Sequence, residues 1–290
     1  RTDTVVAGAG SWMTRGVRRG DVVQLWGHAQ AGNNGKWMRV VSVTATVITL
    51  PAGSLTLDAA ADTSFSLIIA KTVVNGATPV ERYFTVEEYN ADIDQSMRFV
   101  DTKITQLEIA CDPDANIVAT VTFQGLDGDM LATGSSPNFT SPTFTTSLPL
   151  IMADGSIRIN GVDYADLSSF KLTWTLGGSV PPTLGPTAVD VFLDNAQLSG
   201  SVVAMRSGDV NFLAFKNETQ IDMHIVCSEA SSVANPRPFT SFYIGNAVYD
   251  GNDGPIGGEG PLLETIPWRA GKDEGGSDRA ATTMKIPSSA

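Results

Sequence analysis

A hydrophobic period of two residues recurs along this chain and limits its fold more than any other feature. Phe170, Leu172, Trp174 and Leu176 alternate with Lys171, Thr173 and Thr175, and Ile221, Met223, Ile225 and Cys227 alternate with Asp222, His224 and Val226. Ile117, Ala119, Val121 and Phe123 interleave with Val118, Thr120, Thr122 and Gln124, and Val189, Val191 and Leu193 with Asp190, Phe192 and Asp194. Side chains of a strand point alternately to its two faces, so each run offers one face to a core and the other to water or a partner. Between Thr102 and Cys111 the apolar parity switches, from Thr102 and Ile104 to Leu107, Ile109 and Cys111, so a β-bulge is expected near Thr105-Gln106. Asp112 to Asn116 reads as the hairpin loop to the next strand, and Asn160-Gly161 as a turn after Ile157 and Ile159. Helix signals are confined to Val210–Asn217, after Ser207-Gly208-Asp209. The expected class is all-β, a sandwich or barrel with at most one or two short helices.

The first 77 residues read as a separate small β module. Val22–Trp26, Lys36–Val43, Val47–Leu50 and Thr63–Ala70 are its expected strands, Asn33-Asn34-Gly35 is a turn, and Val74 to Pro79 resembles a linker. Charge supports a division into 1–77 and 78–290. The first part holds 7 Lys/Arg against 4 Asp/Glu, and the second 12 against 27, within a net charge of −12. An acidic body of this kind disfavours tight binding to nucleic-acid phosphates, which needs Lys and Arg. Hydrophobic residues make up 42% of the 290 positions, enough for substantial cores. No apolar run approaches the roughly 18 residues of a membrane span, and no charged-then-apolar leader opens the sequence.

Chemistry-bearing patterns are few. Cys111 and Cys227 sit at apolar strand positions and read as buried free thiols. His28 falls in a turn and His224 on the polar face of a strand, and no Cys/His spacing suits zinc. Asp250-Gly251-Asn252-Asp253-Gly254 lacks the alternation and terminal Glu of a calcium loop and reads as a turn. Asn138-Phe139-Thr140 and Asn217-Glu218-Thr219 read as chance matches to a glycosylation pattern. Glu87, Glu88 and Asp92 form an acidic stretch suited to a partner contact, and Arg15, Arg18 and Arg19 a basic loop that could meet an acidic neighbour. No catalytic constellation, metal site or cofactor is expected.

From Arg82 the sequence takes on a shared pattern. Arg82-Tyr83-Phe84-Thr85-Val86-Glu87-Glu88-Tyr89-Asn90-Ala91-Asp92-Ile93, the hairpin Phe99–Ile109 and Ile117–Gly128, Asp154-Gly155 before Ile157–Gly161, Phe212–Thr219 and Gly258–Trp268 follow one another in order. Together they resemble the major tail tube proteins of long, non-contractile phage tails, over about Glu81 to Ala270, with Asp101 standing where the family has a glycine. The resemblance implies a structural, non-enzymatic subunit of the virion. It implies rings, usually of six copies, that stack into a tube and meet tape-measure and tail-completion proteins, with assembly in the host bacterial cytoplasm. DNA would pass through without specific binding, and no membrane partner is implied. The family's first barrel strands are expected upstream of Arg1, and 1–77 is expected to decorate the outer wall. Glu108, Thr120, Thr122 and Gln124 occupy the polar face of a hairpin that either lines an acidic channel or meets water outside. Glu87, Glu88, Asp92, Arg18 and Arg19 are the expected contacts between subunits. A carbohydrate-binding tail or capsid adhesin, which would use Trp12, Trp26 or Trp37, remains the alternative, beside an envelope-polymer hydrolase and a contractile or secretion-system tube protein.

Overall fold

The computed structural model describes residues 3–56, 62, 64–75, 81–112, 115–131, 134, 137–145, 147–164, 166–182, 190–206, 208–229, 238–252, 262–273, 276–277 and 283–289, without the side chains of 152–156. The described residues are nearly all strand and turn, and none of their helices is long and apolar enough to cross a membrane.

The first residues form two small sheets around one core. In one, β1 (Asp3–Val6) and β4 (Ser42–Val43) flank β5 (Val47–Leu50); in the other, β3 (Trp37–Arg39) and β6 (Ser66–Ile69) flank β2 (Val22–Trp26). Trp12, Val17, Val23, Leu25, Ile48 and Leu50 are among the buried side chains between them. The expected strand Lys36–Val43 is broken. Val40 donates its N–H to Asp21 and Val41 to Thr49, so the chain passes from one sheet to the other at this point. Where a turn was expected at Asn33-Asn34-Gly35, a short 3-10 segment (Ala31–Asn33) precedes Gly35, whose φ is +76°.

The rest builds a thirteen-stranded antiparallel sheet. Its path runs through β10 (Val118–Gln124), β9 (Gln95–Cys111), β14 (Leu167–Thr175), β15 (Gln197–Met205), β18 (Leu263–Ala270), β17 (Phe239–Tyr249), β16 (Ile221–Glu229), β12 (Leu150–Ile159) and β13 (Val162–Asp163). β17 and β18 pair only over Ala247–Tyr249 and Ala270–Trp268, which makes a corner. The sheet folds there, so that Ile109, Phe170, Leu172, Leu198 and Val202 share a core with Met223, Ile225, Phe242, Ile244 and Trp268. Each such side chain contributes roughly 1.5–3 kcal/mol by leaving water. Phe170 stacks on Trp268 with ring centroids 6.1 Å apart. A Cβ at Gly200 would lie 2.1 Å from the Lys171 carbonyl oxygen and 2.4 Å from the Trp268 ring, so this close approach requires glycine. Among the described residues, a bridge between Asn116 and Ile151 and the bond from Ile117 N–H to Leu150 join the β9–β10 end of the sheet to β12.

The sequence periods explain most of these strands. The bulge lies where the parity switch placed it: Thr122 pairs with Gln106 and Phe123 with Ile104, leaving Thr105 between them. Asn160 and Gly161, at φ +51° and +76°, make the two-residue β12–β13 turn. The one α-helix among the described residues, α1 (Val210–Lys216), also falls where the sequence put it, although Asp209 makes no side-chain cap. Val189–Leu193 does not form the expected strand. Phe192 makes only an isolated bridge to Ser179, and Val189 lies outside the described residues.

The segment before Asn75 is no free linker. β7 (Lys71–Val74) pairs with β19 (Lys285–Ser288), which pairs with β17, so both join the large sheet. Asn75 accepts bonds from the N–H groups of Thr283 and Met284. Positions 76–79 of the expected linker lie outside the described residues. The early sheets are also fastened to β16, β17 and β19 by side chains. Lys285 Nζ reaches Asp21 Oδ1 at 2.9 Å and the Arg19 carbonyl at 2.7 Å, with both Lys285 and Asp21 buried. Arg19 pairs with Asp222 at 2.9 Å, Arg39 donates to the His224 carbonyl, and Trp37 packs on Phe239. His224, expected on the polar face of its strand, is buried because the early sheets cover that face of β16.

Candidate assembly edge and channel face

Directly paired residues of neighbouring strands share a face, so the ladder registers show what each face carries. Thr120 lies opposite Glu108, Glu108 opposite Thr173, and Thr173 opposite Ser199. The next row is Thr122, Gln106, Thr175 and Gln197, and on the other side come Val118, Ala110, Lys171 and Ser201. The reverse face of the same strands holds Ile109, Leu172 and Leu198 in the core. The result is a hydroxyl- and amide-rich surface four strands wide. Its carboxylate, Glu108, is bonded to Lys171 Nζ at 2.9 Å, so these charges balance locally.

Three of the four expected channel residues, Glu108, Thr120 and Thr122, lie together on this surface. Gln124 follows two residues after Thr122 on the same face of β10, at the end of this surface. It sits past the bulge, where a Cβ at Gly178 would come within 2.6 Å of its side-chain oxygen, and Leu176 N–H is bonded to the Thr105 carbonyl beside it. The contributions of Lys171, Thr173, Ser199 and Ser201 were missed. β15 was not read as a strand, although Leu198, Val202 and Ala204 alternate with Ser199, Ser201 and Val203 and carried the signal.

β10 ends the sheet path, and among the described residues β9 is its sheet neighbour. Six of its seven residues are exposed, including Val118 at 57% and Val121 and Phe123 at 40% each. An exposed edge with apolar side chains and one unpaired row of backbone groups is a template for another strand.

The residues expected to contact neighbouring subunits are dispersed, and several are engaged within the chain. Glu87, on β8 (Phe84–Asn90), accepts a short bond from Ser96 Oγ and bonds from the N–H groups of Asn138 at 2.7 Å and Phe139 at 2.8 Å. Burial acts to raise its pKa, but these bonds and nearby Arg98 outweigh it and hold the carboxyl below its ordinary value. Glu87 thus pins the chain that follows β11 (Asp127–Leu131) against β8. Glu88 and Asp92 are exposed, Asp92 in the tight turn between β8 and β9. Arg18 folds back on its own loop, donating to the Met13 and Val17 carbonyls, and Arg19 is spent on Asp222.

Elsewhere, ionisable side chains serve packing. Lys103, buried on β9, bonds Asp190 at 3.0 Å and Glu81 at 3.2 Å and lies over the Tyr83 ring. Burial would lower its pKa, but its bonds to Asp190, Glu81 and Tyr83 raise it. His224 is held neutral, its pKa pushed well down by burial and by Arg39, Lys285 and Arg158. Of the three tryptophans considered for sugar stacking, Trp12 is core, Trp37 packs on Phe239, and Trp26 stays exposed at 60%.

A protein-family model described as phage tail tube protein matches residues 39–270, from the end of β3 to the end of β18. No curated protein matches the chain.

Proposed function

The chain belongs to the phage tail tube protein family, and we propose that it works as a ring-forming subunit whose free β10 edge joins a neighbouring copy and whose polar β10–β9–β14–β15 face lines the bore. Membership makes it a structural component of the virion that assembles with itself and with other tail proteins. The finer reading is a long, non-contractile tail of stacked hexameric rings, assembled in the host cytoplasm beside tape-measure and tail-completion proteins.

The observation that carries this reading is the β10 edge. A strand with apolar side chains exposed and, among the described residues, one row of backbone groups unpaired at the end of a large sheet is costly in a lone molecule. Head-to-tail closure of a ring removes it. The adjoining face suits passage of DNA because it offers a passing phosphate hydroxyls and amides, with its lysine already bonded to Glu108. The net charge of −12 per copy adds repulsion, acting over a screening length of about 8 Å at physiological salt. On this reading the early sheets, fastened to β16 and β17 and away from β10, lie on the outer side.

Negative-stain imaging of the purified protein tests the proposal. Hollow filaments with a regular axial repeat are expected from the native chain. Val118→Lys with Val121→Lys should abolish them while leaving the circular dichroism of the subunit unchanged. A native protein that stays monomeric at every concentration, or filaments that survive the double substitution, would overturn it.

A further inference from the structure

A cavity of about 310 Å³ opens on the early sheets. Its lining includes Trp12 and Arg15 from the loop after β1, and Phe65, Ser66, Leu67 and Ile69 from β6 and the residue before it. β6 ends its sheet, with β2 as its neighbour. The register shows which backbone groups of β6 are free. Ala70 donates its N–H to the Val22 carbonyl, so Ile68 and Ser66, two and four residues earlier, turn toward β2. Leu67 and Ile69 therefore turn their N–H and C=O groups to the outer edge. Among the described residues no backbone partner meets them there. The cavity thus lies along an open strand edge.

Arg15 is held ready beside it. Its guanidinium lies over the Trp12 ring, 5.0 Å from the centroid, and Nη2 donates to the Ala9 carbonyl at 3.2 Å. Among the described residues no carboxylate pairs with Arg15, whereas Arg19 and Arg98 each pair with an aspartate at 2.9 Å. The planar fork of a guanidinium fixed in this way matches a carboxylate.

We propose that the β6 edge docks an extended peptide segment of a partner protein, one that carries an apolar and an acidic residue two positions apart. The segment adds a strand beside β6 and bonds the Leu67 and Ile69 backbone. Residues two apart on a strand share a face, so the apolar side chain enters the cavity while the carboxylate meets Arg15. The cavity is at the small end of ligand sites and suits one or two side chains. Charge favours an acidic partner, since the first 77 residues hold 7 Lys/Arg against 4 Asp/Glu. The open edge favours a peptide over a small acid, which would leave the Leu67 and Ile69 groups unmet. The inference concerns the early sheets of one chain and stands whether or not the chain forms tubes.

The test titrates the full-length protein with acetyl-Thr-Leu-Thr-Asp-Thr-Leu-Thr-amide, which offers the acidic–apolar pair in both chain directions. Calorimetry reads the affinity and amide hydrogen exchange reads the place. Saturable binding with slowed exchange at Leu67 and Ile69 is expected. The same peptide with Asn for Asp should bind at least about tenfold more weakly. Arg15→Gln should bring the Asp peptide down to the level of the Asn peptide. If that variant does not fold, the comparison of the two peptides on the native protein decides. No saturable binding, equal affinity for the two peptides, or an unchanged difference between them in Arg15→Gln would overturn the proposal. So would hexanoate displacing the peptide with no exchange protection at Leu67 and Ile69, which would make the cavity an organic-acid site. Loss of self-association in Arg15→Gln would place a second copy there and overturn it too.

Discussion

Lys285→Ala should expose how the early sheets are held to the large sheet. Lys285 Nζ and Asp21 Oδ1 are 2.9 Å apart, with side-chain exposures of 3% and 7%, so water cannot replace the lost partner. Removing one member of a buried pair leaves an uncompensated charge and costs about 3–5 kcal/mol. Asp21 retains its bond from the Arg18 N–H, which favours the lower end of that range, while the Arg19 carbonyl loses its lysine donor, which adds about 1 kcal/mol. The total is a quarter or more of the ~5–15 kcal/mol typical of a folded domain. In urea, with a slope near 3 kcal/mol/M, the midpoint should fall by about 1–2 M. Asp21→Asn with Lys285→Met removes both charges and should recover most of the loss. The reasoning is wrong if Lys285→Ala unfolds within about 1 kcal/mol of the native protein, or if the double variant is no more stable than the single one.

The folded His224 pKa lies below its unfolded value of about 6.5, so the unfolded chain binds a proton that the folded chain refuses. Stability should be complete above that pH and fall on acidification by up to about 1.4 kcal/mol per pH unit, and His224→Leu should remove this component from denaturation curves taken between pH 7 and 5. Gly200→Ala should cost about 3 kcal/mol or more, because the new methyl meets the Lys171 backbone and the Trp268 ring and neither can retreat from the ladder. A soluble variant with an unchanged thermal midpoint would refute that close approach.

Much of the architecture was legible because alternation is a local property. The runs at 117–124, 170–175 and 221–227 became β10, β14 and β16, the parity switch located the bulge at Thr105, and Asn160-Gly161 announced its turn. The candidate surface was only half legible. Glu108, Thr120 and Thr122 could be grouped from one hairpin, but Lys171, Thr173 and Ser199 join them through pairings between strands distant in sequence.

The all-β class, most strand periods and the apolar character of the thiol positions are readable from local sequence, because each follows from side-chain alternation and turn chemistry within a few residues. Which polar groups meet water was settled by long-range packing. It buried His224 and Lys285 beneath the early sheets, drew Arg19 to Asp222, bound Glu87 to the chain after β11 and brought Cys111 and Cys227 into one core. Those outcomes depend on which strands become neighbours and where the sheet folds over, and contacts between residues a hundred positions apart leave no trace in local pattern.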